Sequence, residues 1–248
     1  MKTSIIIIII ITFVILFTFI FICLKFSWEK KIIPGITNSN YHFPKIIHQT
    51  WKNTNLNTDQ QNSVDSWKKY YPDYQHILWT DDDIEKFVHT HFYWYLPIWN
   101  KLTPFIKKID CIRYMWMYIY GGIYVDIDMI CMKHFNFENN KYKGSAFIPV
   151  QLPYSKFLGS SSPAILASYP GHDFWLSMLD YISKNYDKHV FIATGPTGLV
   201  KCLSSYINST KNIQKIVLLN ETKFGIGLAR KLGKKYSYHQ MLGTWLNK

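Results

Sequence analysis

Arginine is nearly absent from this 248-residue chain: Arg113 and Arg230 are the only two. With no clustered arginines and no RNA- or DNA-binding motif, the sequence excludes nucleic acid as an expected partner. Cysteine is scarce as well. Its four cysteines include no Cys-x-x-Cys pair, which rules out a disulfide scaffold and argues against a structural zinc site. Charged residues make up only 18% against 48% hydrophobic, so the chain is not disordered. Acidic residues are few, 16 against 28 Lys+Arg, giving +12. That charge is almost all lysine in a chain also rich in Ile, Asn, Tyr and Phe, all residues with A/T-rich codons. Part of it therefore reflects composition, and part would welcome phosphates, sugar nucleotides or anionic membranes.

Long apolar runs are missing everywhere except the N-terminus. Ile5 to Leu24 is interrupted only by Thr12 and Thr18. At about 1.5 Å per residue such a run crosses a hydrocarbon core of roughly 30 Å. It is longer than a signal-peptide core and ends in Cys23-Leu24-Lys25, without a small-x-small cleavage site. The expectation is a transmembrane anchor over 1–25, a polar stalk over 26–42 and one extramembrane domain over 43–248. The flanking charges, Lys2 before the span and Lys25, Lys30 and Lys31 after it, place that domain in the cytosol by the positive-inside rule. The sequons at Asn208 and Asn220 argue for the lumenal side. Cys111, Cys131 and Cys202 do not decide between them.

From Phe43 onward short apolar runs alternate with helical patterns, the signature of an α/β domain. Strands are expected over Lys45–Trp51 and His76–Thr80, a helix over Ser63–Tyr71, and a helix capped by Asp81-Asp82-Asp83. A further helix is expected to start at Thr103-Pro104 and end at Gly121, with Ile106, Ile109, Trp116, Met117 and Tyr120 on its apolar face. Asp110 and Arg113, three apart, share one face of it. Gly121-Gly122 then turns into a strand over Ile123–Met129. Period two puts Ile123, Val125, Ile127 and Met129 on one side, and Asp126 and Asp128 on the other, roughly 6.6 Å apart at about 3.3 Å per residue.

Two neighbouring carboxylates on a strand repel each other, and a divalent cation beside them removes the conflict. An isolated Asp-x-Asp is otherwise a solvent-facing strand end. The residues after Asp128 exclude an EF-hand, because Ile130, Cys131 and Phe137 stand where an oxygen ligand, Gly and Glu are needed. A glycosidase pair would come from separate elements.

Asp110-x-x-Arg113-Tyr114 followed by Tyr120-Gly-Gly-Ile-Tyr-Val-Asp126-Ile-Asp128 resembles the core of glycosyltransferases with a DXD sugar-binding region, the family 32 type. The subgroup it is similar to contains initiation-specific α-mannosyltransferase and inositol phosphoceramide mannosyltransferase. Pro44–Trp51, Trp79-Thr80-Asp81, Ser168–His172 and Thr194-Gly195-Pro196 are similar to other segments of that subgroup. The resemblance implies a GT-A-type fold with a mostly parallel sheet and a retaining transfer from a nucleotide sugar, GDP-mannose in this subgroup. It also implies Mn²⁺ or Mg²⁺, and a lipid-linked or glycan acceptor as in sphingolipid glycosylation. Carried over residue by residue, Asp128 binds the metal, and Asp126 holds ribose and metal. Asp110 and Arg113 hold donor-sugar hydroxyls and phosphate. His48, Gln49, Thr50, Trp79, Tyr114 and Gly122 line the nucleotide, and His239, before Gly243-Thr244-Trp245, is a further metal ligand. Such enzymes imply a Golgi or endomembrane protein with its domain in the lumen. The departures, Asp173 after Pro170-Gly171-His172 and the run Gly159-Ser160-Ser161-Ser162, fall on the acceptor side. The rival reading is a catalytically silent sugar-nucleotide or glycan-binding module on a membrane stalk.

Overall fold

A computed structural model of the protein describes residues 42–150, 161–209, 214–224 and 236–242, all within one compact unit, Tyr41–Lys248. The expected anchor, the stalk up to residue 41, Gly159-Ser160, Thr210 of the first sequon, Arg230 and Gly243-Thr244-Trp245 lie outside the described residues. Among the described residues no helix is long and apolar enough to cross a membrane.

The strands are, in chain order, β1 (Ile46–Thr50), β2 (Gln75–Trp79), β3 (Gly122–Val125), β4 (Met129–Cys131), β5 (Ala146–Val150), β6 (Ile165–Ser168), β7 (Ile216–Asn220) and β8 (Ser237–His239). Six of them form one sheet in the order β2-β1-β3-β6-β5-β7, and β4 pairs with β8 separately. β1 runs parallel to β2 and β3, and β5 runs parallel to β7. Only β6 is reversed, antiparallel to both β3 and β5. The mostly parallel α/β sheet expected from the sequence is therefore present. The carboxyl ends of β1, β2, β3, β5 and β7 all open on one edge, where ligands of such sheets sit.

Apolar layers cover both faces of the sheet. Tyr124 and Leu166 point into one core with Ile112, Trp116 and Trp175, whereas Ile123, Val125, Ile165 and Ala167 point into the other with Ile47, Trp67 and Phe147. This is the two-residue alternation of a strand buried on both faces. The Thr58–Tyr70 helix begins with a reciprocal cap between Asn57 and Gln60. The Asp81–His91 helix is capped by Thr80, not by the aspartates: the Thr80 hydroxyl accepts the Asp83 N–H and the Asp83 carboxylate accepts the Thr80 N–H.

Two expectations need correction. The central helix runs over Ile106–Ile119 and not from Pro104, because residues 103–105 form a turn whose carbonyls at Pro104 and Phe105 accept from Lys107 and Lys108. It is buried continuously from Asp110 to Met117, not along one stripe. The second correction matters more. The strand after Gly122 stops at Val125, and Asp126-Ile127-Asp128 is a turn closed by Met129 N–H on Asp126 O at 3.0 Å. The chain then leaves the main sheet to enter β4. Carboxylates suit a sheet poorly, and the turn places these two where they converge.

Gly121 and Gly122 make the switch from helix to β3, with φ of +63° and +80°. A Cβ on Gly122 would stand 2.5 Å from the Ile46 carbonyl oxygen, and one on Gly121 would stand 2.5 Å from that of Ser168. Gly122→Ala is therefore expected to lower stability by about 2–4 kcal/mol, combining backbone strain with overpacking. Urea unfolding checks this, with a fallen midpoint and an unchanged slope as the expected result.

Candidate active site

The turn after β3 and the end of β8 meet at one point. β8 pairs with β4 in the register Met129↔His239, which sets the imidazole beside Asp128. His239 Nε2 lies 2.8 Å from Asp128 Oδ1 and 3.9 Å from Asp126 Oδ2. One ligand atom from each of the three residues fits within 4.8 Å of the others. Two carboxylates and an imidazole form a donor set that suits Mn²⁺, and all three side chains keep some exposure, so a substrate oxygen can reach the same place. The residues present fit a divalent cation. The following segment wraps Asp128: Gln240 N–H donates to its carbonyl at 2.9 Å, and Leu242 N–H donates to its Oδ2 at 3.1 Å.

β4 itself is pinned from the helix above it. Ser63 Oγ and Trp67 Nε1 both donate to the Met129 carbonyl at 2.7 Å, and Cys131 N–H donates to Ser66 Oγ at 2.8 Å. The spacing of Ser63, Ser66 and Trp67 puts all three on one side of the Thr58–Tyr70 helix. That face holds the far end of the Asp-x-Asp turn still.

Arg113 joins this cluster to Asp110. Its Nη2 lies 2.9 Å from Asp110 Oδ1 and its Nη1 3.2 Å from Asp126 Oδ1. Nη1 also donates to the Pro163 carbonyl at 2.9 Å, and the guanidinium sits 4.7 Å above the Tyr124 ring. The Arg113 side chain is only 5% exposed. Asp110 Oδ2 accepts from Thr194 Oγ1 at 2.8 Å, and Asp126 Oδ1 accepts from Tyr124 Oη at 2.6 Å. Burial pushes the Asp110 carboxyl above its ordinary value, opposed by Arg113 and Thr194. Burial likewise opposes the charge on Arg113, but Tyr124, Asp126 and Asp110 outweigh it and hold the guanidinium firmly protonated. Asp110 and Arg113 do pair on one helix face, but Arg113 is a buried bridge between two carboxylates, which is a different object from a surface ion pair.

The remaining candidates fall elsewhere. His48 is fully buried, stacked against Trp79, Trp116 and Tyr120. Its Nδ1 accepts from Trp79 Nε1 at 3.1 Å, so its Nε2–H faces the Gly121 carbonyl at 3.1 Å. Burial pushes its pKa down to about 4, so the ring is neutral. Thr50 Oγ1 donates to the Trp79 carbonyl at 3.0 Å. Gln49 Nε2 donates to Ser63 Oγ at 3.3 Å, and of these three it alone approaches the turn, 3.5 Å from the Asp126 carbonyl. Tyr114 is buried and donates to the Thr194 carbonyl at 2.7 Å. Gly122 acts through its backbone, in the close approach to Ile46. The structure therefore gathers Asp110, Arg113, Asp126, Asp128 and His239 in one row, with Tyr114 and Gln49 touching its surroundings. His48, Thr50 and Trp79 sit together in an aromatic and hydrogen-bonded cluster at the ends of β1 and β2.

Three contributors escaped sequence reasoning. Tyr124 was detectable, since it alternates with Asp126 two residues on. Thr194 lies in the Thr194-Gly195-Pro196 segment of the resemblance, but its bond to Asp110, like that of the Pro163 carbonyl to Arg113, arises only through tertiary contact.

Residues 57–146 match the family model described as a glycosyltransferase sugar-binding region containing a DXD motif. The chain is 32% identical over 173 residues to inositol phosphoceramide mannosyltransferase 1 of Schizosaccharomyces pombe, an overlap of 66% of this chain and 52% of that protein. It is 31% identical over 175 residues to mannosyl phosphorylinositol ceramide synthase SUR1 of Saccharomyces cerevisiae, or 68% of this chain and 44% of that protein. The chain spans about half the length of the curated relatives it matches. Among solved structures, the PaToxG glycosyltransferase overlaps 67% of this chain and 70% of its own, with a TM-score of 0.52 at 20% identity, which shows a shared fold.

The His239–Asp128 contact carries a pH signature. Burial opposes a charged imidazole, but the Asp128 carboxylate more than offsets it and lifts His239 above its ordinary 6.5. Burial also opposes ionised Asp128, yet His239 and the Leu242 N–H hold that carboxyl below its ordinary value. Without metal, the pair stabilises the fold fully between the ordinary values of 3.8 and 6.5, and that contribution fades as pH rises through the raised His239 value or falls through the lowered Asp128 value. A metal must displace the same proton. Mn²⁺ affinity is expected to rise with pH, by up to about tenfold per unit for one released proton, and to level off above the raised His239 value. His239→Ala is expected to flatten the slope. Calorimetric titration in buffers of different ionisation enthalpy measures both quantities.

Proposed function

We propose that this chain, whose residues 57–146 are the DXD sugar-binding region of a glycosyltransferase, transfers a hexose with retention from a nucleotide sugar to a glycolipid headgroup or a glycan. The donor in this reading is GDP-mannose and the acceptor an inositol phosphoceramide-like lipid, both suggested by the names of the relatives. The domain belongs to the GT-A class and spans 43–248. The Ile5–Leu24 run anchors it, with the domain in the lumen of the Golgi or endomembranes.

The observation that carries this reading is the unbroken row Asp128–His239–Asp126–Arg113–Asp110–Thr194, each member within contact of the next. Asp126, Asp128 and His239 would hold Mn²⁺ or Mg²⁺, which when bound neutralises the charge developing on the departing nucleoside diphosphate. Arg113 supplies a second, fixed cation beside the same place and cannot lose its proton there. Tyr124 holds the Asp126 carboxylate in one rotamer through its hydroxyl. Thr194 does the same for Asp110, leaving that carboxylate oriented to accept donor-sugar hydroxyls. Every group is set before substrate arrives, so little reorganisation accompanies the reaction.

The test is a screen of GDP- and UDP-sugars with Mn²⁺, reading donor hydrolysis and transfer to lipid and glycan acceptors. Turnover of GDP-mannose is expected, reduced by at least about a hundredfold in the Asp126→Ala/Asp128→Ala variant. Calorimetric donor binding without hydrolysis or transfer would instead favour the silent binding module.

A further inference from the structure

Glu221 is a buried carboxylate that the proposed reaction does not use. It is 3% exposed and follows β7 directly, on the same edge of the sheet as Asp126. Its Oε1 accepts from Ser162 N–H at 2.8 Å. Burial raises its pKa, and the Ser162 N–H opposes that rise.

What lies between Glu221 and the site is one short run of chain, Ser161 to Ala164, leading into β6. Each residue of this run is tied by a hydrogen bond. Ser161 Oγ donates to the Pro149 carbonyl in β5, and Ser162 N–H donates to Glu221. The Pro163 carbonyl accepts from Arg113 Nη1 at 2.9 Å, and the Ala164 carbonyl accepts from Asp126 N–H at 2.9 Å. The first two ties fix the run to the β5–β7 side of the sheet, and the last two form part of the candidate site. The Ser162 N–H and the Pro163 carbonyl are one peptide plane apart. Pro163 fixes its own φ and restricts Ser162 before it, so few torsions can absorb a shift at Ser162 before it reaches that carbonyl.

We propose that Glu221 is a positioning residue that sets donor affinity by locking the Ser161–Ala164 run against which Arg113 and Asp126 are held. It touches neither donor nor metal and acts through Ser162 and Pro163. This rests on the reading of Arg113 as a donor-binding group. The contact is a single acceptor on a backbone N–H, so any side chain that keeps an oxygen at that place restores it, with or without charge.

The experiment compares the full chain with Glu221→Ala and Glu221→Gln, reading amide hydrogen exchange at Ser162, Mn²⁺ affinity, and KM and kcat for the nucleotide sugar. Glu221→Ala is expected to lose protection at Ser162 and to raise the donor KM about ten- to a hundredfold, with Mn²⁺ affinity within twofold of the parent. Glu221→Gln is expected to restore both protection and KM. If Glu221→Ala does not fold, Glu221→Asp replaces it, its carboxylate one methylene short of the Ser162 N–H. An unchanged donor KM despite lost protection overturns the inference, as does a Gln variant as impaired as Ala. A parent chain that binds no nucleotide sugar overturns the functional reading itself, and the inference with it.

Discussion

One buried cation organises this domain. Removing a guanidinium from water costs several kcal/mol unless charge and hydrogen bonds replace the lost solvent. Arg113 obtains that replacement from four directions: Asp110 one turn back on its own helix, Asp126 after β3, the Pro163 carbonyl before β6, and the face of Tyr124. These partners come from the central helix, β3 and the turn after it, and the run between β5 and β6. Satisfying one side chain therefore fixes how those pieces meet. Removing one carboxylate would leave the charge buried with too few partners, a loss of about 3–5 kcal/mol for pairs of this kind.

The same arrangement explains why the site is where it is. Five of the six main-sheet strands end on one edge, and the chain leaves β3 through a turn at that edge. The turn carries Asp126 toward Arg113 and Asp128 toward β8, so a three-residue segment links the two sheets. β4 and β8 are short, three residues each. They depend on the Thr58–Tyr70 helix, whose Ser63, Ser66 and Trp67 hold the β4 backbone. Scaffold and site are consequently the same set of contacts, which is the pre-organisation that charge stabilisation requires.

Much of this was legible from the chain. Helix punctuation and period-two alternation placed β1, β2, β3 and the central helix, and the Asp110–Arg113 spacing placed both on one helix face. What failed, failed for physical reasons. Alternation continues through Asp126, Ile127 and Asp128 and so extends the strand in the pattern, whereas the chain turns after Asp126, whose carbonyl accepts from Met129 N–H. The roles of Thr194 and Pro163 depend on contacts across 84 and 50 residues of chain, and no local pattern encodes such closures. The resemblance sets His48 against the nucleotide, a role its residue type alone does not decide. Its burial among Trp79, Trp116 and Tyr120 comes from packing of three separate elements.

The central claim is that the geometry of Arg113, and not merely its charge, makes the donor site. Arg113→Lys tests this most directly, because it keeps the charge and removes the fork that reaches two carboxylates and a carbonyl together. The account predicts nucleotide-sugar turnover reduced by at least about a hundredfold, with Mn²⁺ binding at Asp126, Asp128 and His239 retained within a few fold. A lysine variant that turns over the donor at the parent rate would contradict it.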